Sequence, residues 1–141
     1  MTGIVLSGGE NRRMGRDKAF LKIAGIPMIE HVLQALQSVV KQKIIIVTNS
    51  PQAYTSYGVR VVTDASDKRG SLIGIYTGLL YSQDEYNIVV ACDMPFLNSK
   101  LLRFMIEIQE GYDLIVYRNN AIFEPLHAIY SKNCLPCRFS G

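Results

Sequence analysis

The stretch Gly3-Ile4-Val5-Leu6-Ser7-Gly8-Gly9-Glu10-Asn11-Arg12-Arg13-Met14-Gly15-Arg16-Asp17-Lys18 opens on a short apolar run and then breaks into glycines and cations. Gly3–Leu6 reads as a buried first strand. Glycines 8, 9 and 15 let backbone N–H groups approach a ligand where a Cβ would clash. Consecutive N–H groups in a tight loop form an anion-binding nest. Arg12, Arg13, Arg16 and Lys18 add the positive charge that a polyanion needs, because desolvating it uncompensated is costly. The plain alternative is an ordinary strand-to-helix turn with a solvated basic surface. Neither GxxxxGK[ST] nor GxGxxG is present, so the two common phosphate-loop fingerprints are excluded.

Outward from this loop, apolar runs alternate with helix-period segments. Met28 to Val40 carries apolar residues at 28, 29, 32, 33, 36, 39 and 40, the stripe of an amphipathic helix, with Pro27 where a helix start tolerates proline. Lys43-Ile44-Ile45-Ile46-Val47 carries a continuous β-branched run without alternation, the mark of a strand buried on both faces of a parallel sheet. Pro51 starts a short helix, and Arg60–Val62 is a third strand. Ser71 to Gln83 is a helix with Leu72, Ile73, Tyr76, Leu79 and Leu80 on one face and Ser71 as N-cap. Asn87–Ala91 is a fourth strand. Asn98 caps a helix running through Glu110, stopped by Gly111. Tyr112–Tyr117 and Ala128–Tyr130 supply two more strands. This order predicts a three-layer α/β/α sandwich around a mainly parallel sheet. No linker or repeat interrupts it, so residues 1–141 are expected to form a single domain. In such sheets ligands bind at the carboxyl ends of the strands, which directs attention to the residues after Leu6, Val47, Val62 and Ala91.

Composition excludes several classes. The chain has 141 residues, 48% hydrophobic and 19% charged, enough apolar material for a packed core and not a disordered or fibrous chain. Fifteen Lys+Arg against twelve Asp+Glu leave +3, too little to imply a nucleic-acid partner. Three cysteines make no disulfide framework, so a cytoplasmic location is expected. No apolar run reaches the ~18 residues of a membrane span, and no membrane partner is expected.

Asp93 follows the fourth strand in Cys92-Asp93-Met94-Pro95. A carboxylate there points into the ligand crevice. Mg²⁺ is commonly held by one or two carboxylates plus substrate phosphates; the alternative for Asp93 is a cap on the turn before Pro95. Asp64 follows the third strand. A carboxylate there can accept hydrogen bonds from a base or a ribose hydroxyl, or cap the turn Asp64-Ala65-Ser66-Asp67. His31 reads as a surface helix residue. Cys134-Leu135-Pro136-Cys137 is a CxxC with no second pair to close a zinc site, and no metal or redox role is expected of it.

Leu6-Ser7-Gly8-Gly9, Arg13-Met14-Gly15, Asp17-Lys18 and Leu21 together resemble the signature of GT-A-like nucleotidyltransferases. Within that group, from Gly3 to about Leu135, the chain is most similar to the molybdenum cofactor guanylyltransferases. The resemblance implies a Rossmann-like nucleotidyltransferase fold. It also implies an enzyme that joins GMP from GTP to molybdopterin, the Mo cofactor, with release of pyrophosphate and with Mg²⁺ as cofactor. Carried over position by position, it implies Arg13, Lys18 and Asp93 as catalytic residues and Asp93 as the metal ligand. It assigns Leu6, Ser7, Gly8, Gly9, Lys18, Asn49, Asp64 and Asp93 to the nucleotide.

Arg69-Gly70-Ser71-Leu72-Ile73-Gly74 is similar to the family's Gly-Pro-Leu-x-Gly segment, with Ser71 where proline is usual. At the second strand's end the polar residues are Thr48 and Asn49, whereas relatives often have one near Val47. Glu124-Pro125-Leu126-His127-Ala128 is similar to the segment near the second substrate, where His127 bonds either a pterin or phosphate group or a backbone carbonyl. The family continues beyond this chain's last residues with a helix and a strand, expected to be missing here. Loss of that cover would expose an apolar sheet face and favour a homo-oligomer. Two rival readings share the fold: a nucleotidyltransferase using CTP or a sugar phosphate, and a non-catalytic GTP-binding protein.

Overall fold

The computed structural model describes residues 1–7, 12, 13, 16–63, 71–94 and 97–135, leaving the side chains of 12, 13, 16, 17 and 71 outside that description. In chain order it contains β1 (Thr2–Ser7), β2 (Arg12–Arg13), β3 (Arg16–Asp17), a 3₁₀ turn (Lys18–Phe20), β4 (Lys22–Ile23), β5 (Ile26–Pro27), α1 (Met28–Val40) and β6 (Ile44–Thr48). A 3₁₀ helix (Pro51–Tyr57), β7 (Arg60–Val62), α2 (Ser71–Tyr81), β8 (Tyr86–Ala91), α3 (Ser99–Glu107), β9 (Leu114–Asn119), β10 (Ile122–Ser131) and a 3₁₀ turn (Lys132–Cys134) follow.

The main sheet runs β7-β6-β1-β8-β10-β9. β1 pairs in parallel with β6 on one side and β8 on the other, and β7 is parallel to β6. β10 is antiparallel to both β8 and β9. After β1 the chain builds outward through β6 and β7, then crosses back to β8, which makes β1 the switch point of the sheet. A crevice at the carboxyl ends is expected at such a point.

The central strands lack alternation because both faces are covered. Val5, Ile44, Ile46, Ile88, Val90 and Ile129 pack against α1 and α3. Ile4, Leu6, Ile45, Val47 and Val89 face α2 through Ile75 and Leu79. The expected three-layer sandwich is therefore present, with α1 at its predicted bounds.

Other details differ from expectation. α2 ends at Tyr81, and Ser71 is its first helical residue, not its cap. Its buried face includes Gly74, Ile75, Thr77, Gly78 and Leu79, while Leu72 and Leu80 are 67% and 47% exposed. Glycine is what lets this helix sit close: a Cβ on Gly78 would lie 2.5 Å from Ile4 Cγ2. α3 stops at Glu107, but its cap is as expected: Asn98 Oδ1 accepts from the N–H groups of Lys100 (2.8 Å) and Leu101 (3.3 Å). β9 begins at Leu114, two residues late, because Gly111 (φ 86°) sits in the turn that precedes it. Two small ladders, β2–β3 and β4–β5, were not anticipated. Ala24 (φ 54°) and Gly25 (φ 79°) form the turn of the second, and the carbonyl of Ile23 lies 2.8 Å from His31 Nε2 on α1. His31 is thus a half-buried tether, not a surface residue.

Candidate active site

β1 and β8 are in parallel register up to Leu6 opposite Ala91. One residue beyond, the Cys92 N–H donates to the Leu6 carbonyl at 3.0 Å, so the two strands stay stitched to the point where each turns out of the sheet. Asp93 lies in the turn that follows β8. From the other strand the chain returns through the 3₁₀ turn bearing Lys18. The Lys18 Nζ reaches 3.9 Å from Asp93 Oδ2, and these side chains are 24% and 28% exposed. Two residues from distant parts of the sequence, each singled out on its own chemistry, thus meet as an ion pair above the switch point.

Ser7 ends β1 almost fully buried, its hydroxyl hydrogen-bonded to the phenol of Tyr54. Leu6 points into the α2-side core. Across the β1–β6 ladder, Ser7 is level with Thr48, whose Oγ1 accepts the Ser50 N–H at 3.0 Å. Asn49, next along, is exposed at the carboxyl end of β6. Gly8, Gly9 and Asp64 lie outside the described residues, as does the Arg13 side chain.

On the other flank, His127 of β10 sits opposite Val90, beside the strand that delivers Asp93. Its ring lies 4.7 Å from that of Tyr117. His127 is 7% exposed, and its Nε2 has no hydrogen-bond partner. The expected bond to a backbone carbonyl is not seen at that nitrogen. Burial pushes the imidazole below its usual pKa, outweighing the opposing influence of Glu124.

Among the described residues no group of three or more His, Cys, Asp or Glu could cage a metal ion. A single hard carboxylate is nevertheless a donor that Mg²⁺ accepts when phosphate oxygens and water complete its shell. Asp93 fits that description. The Cys134 thiol donates to the Asp113 carbonyl at 3.1 Å, and burial raises its pKa, which opposes the thiolate a redox or metal role requires. Cys137 lies outside the described residues. No described helix is long and apolar enough to cross a membrane.

Sequence reading missed Tyr54. It is fully buried and packs on Phe20, at 5.1 Å between ring centroids, and on Tyr57, at 6.4 Å. The only local signal was the spacing of Tyr54 and Tyr57 within a short helix, which says nothing of Ser7.

The family model for the MobA-like NTP transferase domain matches residues 3–138. A Clostridium perfringens (strain SM101 / Type A) protein named "Probable molybdenum cofactor guanylyltransferase" is 38% identical over 131 residues, covering 92% of this chain. The chain spans 65% of that relative's length. The molybdenum cofactor guanylyltransferase of Desulfosudis oleivorans is 40% identical over 137 residues, covering 96% of this chain and 67% of the relative. Among solved structures, molybdopterin-guanine dinucleotide biosynthesis protein A from Archaeoglobus fulgidus superposes with a TM-score of 0.78 at 26% identity, covering 96% of this chain and 69% of that one.

Proposed function

The chain belongs to the MobA-like NTP transferase domain family, and from that premise we propose that it transfers GMP from GTP to molybdopterin, releasing pyrophosphate and forming the guanine dinucleotide of the cofactor. The observation that carries the proposal is the Lys18–Asp93 pair, 3.9 Å apart, where β1 and β8 leave the sheet.

In the proposed reaction a terminal phosphate oxygen of molybdopterin attacks the α-phosphorus of GTP. A new P–O bond forms, and the bond to the β-phosphate oxygen breaks in line, its electron pair leaving with pyrophosphate. A phosphate nucleophile is already ionised at pH 7, so no general base is required. The protein's task is positioning and charge neutralisation. Lys18 and Arg13 would neutralise charge on the departing pyrophosphate. Asp93 would hold Mg²⁺, which supplies further neutralisation to the phosphates when bound. Gly8 and Gly9 would admit the phosphates, the Leu6-Ser7-Gly8 backbone and Asp64 would hold the nucleoside, and Asn49 would add a nucleotide contact. The protein's setting in this reading is a reducing cytoplasm, where three cysteines form no disulfide framework.

The decisive experiment is turnover of this chain with GTP, Mg²⁺ and molybdopterin, alongside calorimetry with GTP, CTP and UTP. Formation of the guanine dinucleotide is the expected result. Tighter binding of CTP would overturn the guanine assignment, and GTP binding without transfer would reduce the chain to a nucleotide-binding protein.

A further inference from the structure

Tyr54 is among the largest fully buried side chains of the described residues; its ring belongs to the core on the α1 side, and its hydroxyl reaches the carboxyl end of β1. It reaches that place on the 3₁₀ helix that follows β6, the neighbour of β1. From there one side chain touches two parts of the site. Its hydroxyl bonds Ser7 Oγ, the residue just before Gly8 and Gly9. Its ring packs at 5.1 Å on Phe20, which shares a 3₁₀ turn with Lys18. The Tyr57 ring lies 6.4 Å from that of Tyr54.

A buried phenol needs a hydrogen-bond partner, whereas phenylalanine would fill nearly the same volume without that demand. The hydroxyl therefore contributes something other than packing: it fixes the direction in which the Ser7 side chain points as the chain leaves the sheet. The ring fixes the turn from which Lys18 extends towards Asp93. We propose that Tyr54 is a positioning residue of the nucleotide site, holding Ser7 through its hydroxyl and the Lys18 turn through Phe20. The proposal rests on the reading of this site as a nucleoside triphosphate site. It predicts that losing one oxygen atom, from a residue not itself assigned to the nucleotide, weakens binding of the nucleotide.

The test measures GTP binding in the presence of Mg²⁺ by calorimetry for the wild type, Tyr54→Phe, Ser7→Ala and the double variant. All are held at a temperature where circular dichroism shows them folded. Tyr54→Phe should raise the Kd for GTP about tenfold, the scale of one lost buried hydrogen bond, with unchanged stoichiometry. The double variant should bind no worse than the weaker single variant, because both singles break the same bond. A merely structural role would instead lower the stoichiometry as the active fraction falls and leave Kd unmoved. Asp84→Ala, at the opposite end of the sheet, serves as the control that lowers Tm without changing Kd. If Tyr54→Phe does not fold, Ser7→Ala breaks the same bond and should show the same rise. A folded Tyr54→Phe or Ser7→Ala variant with wild-type Kd overturns the positioning role and leaves the nucleotide site standing. A wild-type chain that binds no nucleoside triphosphate overturns the site reading, and the positioning role with it.

Discussion

Replacing Asp93 by asparagine should separate stability from activity. At 3.9 Å, opposite unit charges attract by about 1 kcal/mol in water and about 4 kcal/mol at an effective dielectric of about 20. Both side chains are about a quarter exposed. Desolvation and lost side-chain freedom offset most of that attraction, leaving about 1 kcal/mol or less. Asparagine keeps the volume, and Lys18 can turn its ammonium to water. In a chain of 141 residues, about 1 kcal/mol corresponds to a Tm shift of about 3 °C. Turnover of GTP with molybdopterin should fall much further, by about 10²–10³-fold, as when a preorganised electrostatic group is removed. Lys18→Met should behave likewise. Because both groups act on one step, the double variant should be little worse than the poorer single one. The assay pairs thermal unfolding with initial rates at saturating Mg²⁺. Wild-type turnover in Asp93→Asn would refute the catalytic assignment. A collapse in Tm with activity falling in proportion would mean that the pair is structural.

Three further perturbations test the fold around the site. Gly78→Ala places a methyl 2.5 Å from Ile4 Cγ2, a branch of a fully buried strand residue; overpacking of about 1–3 kcal/mol should outweigh the helix-propensity gain of about 1 kcal/mol and lower Tm. Gly74→Ala meets Leu6 Cδ1 and Cδ2 at 3.2 Å, a contact that a shift of a few tenths of an ångström relieves, and should cost less than Gly78→Ala, so equal effects from the two substitutions would contradict the packing of α2. The Thr2 hydroxyl, and next the N-terminal ammonium, hold the Asp84 carboxyl below its ordinary value of 3.8. Its stabilising contribution is therefore present above that pH and lost as pH falls below it. Asp84→Asn should remove this acid limb from the stability–pH curve and cost about 1 kcal/mol at neutral pH, which chemical denaturation would measure. Burial holds His127 below its ordinary 6.5, so the unfolded chain binds a proton that the folded chain does not, and stability should fall as pH drops below 6.5. His127→Leu should flatten that slope in urea titrations run at successive pH values; an unchanged slope would show that the imidazole does not cause it.

The pattern of what could be read from sequence follows the range of the interactions involved. Strands β1, β6 and β8 were legible because parallel strands buried on both faces have unbroken apolar runs, a purely local signal. α1 was legible because its stripe is wide and its faces differ sharply. The buried face of α2 was legible only in part. Leu79 is buried as expected. Glycine carries no hydrophobic weight, yet Gly74 and Gly78 are what bring the helix onto Leu6 and Ile4, so hydropathy also selected Leu72 and Leu80, which face water. The candidate site shows the same division. Lys18 and Asp93 each stood out beside a strand end, but their meeting depends on β8 crossing back to pair with β1, and an alternation of strands and helices does not specify strand order. The Tyr54–Ser7 bond is a still longer-range fact, joining the ends of neighbouring strands through a turn with no distinctive composition. The residues that touch a ligand carry chemical signatures a sequence displays, whereas the residues that aim them are chosen by packing. The positions most informative to mutate next are therefore those, like Tyr54, that the fold brings to the site from elsewhere in the chain.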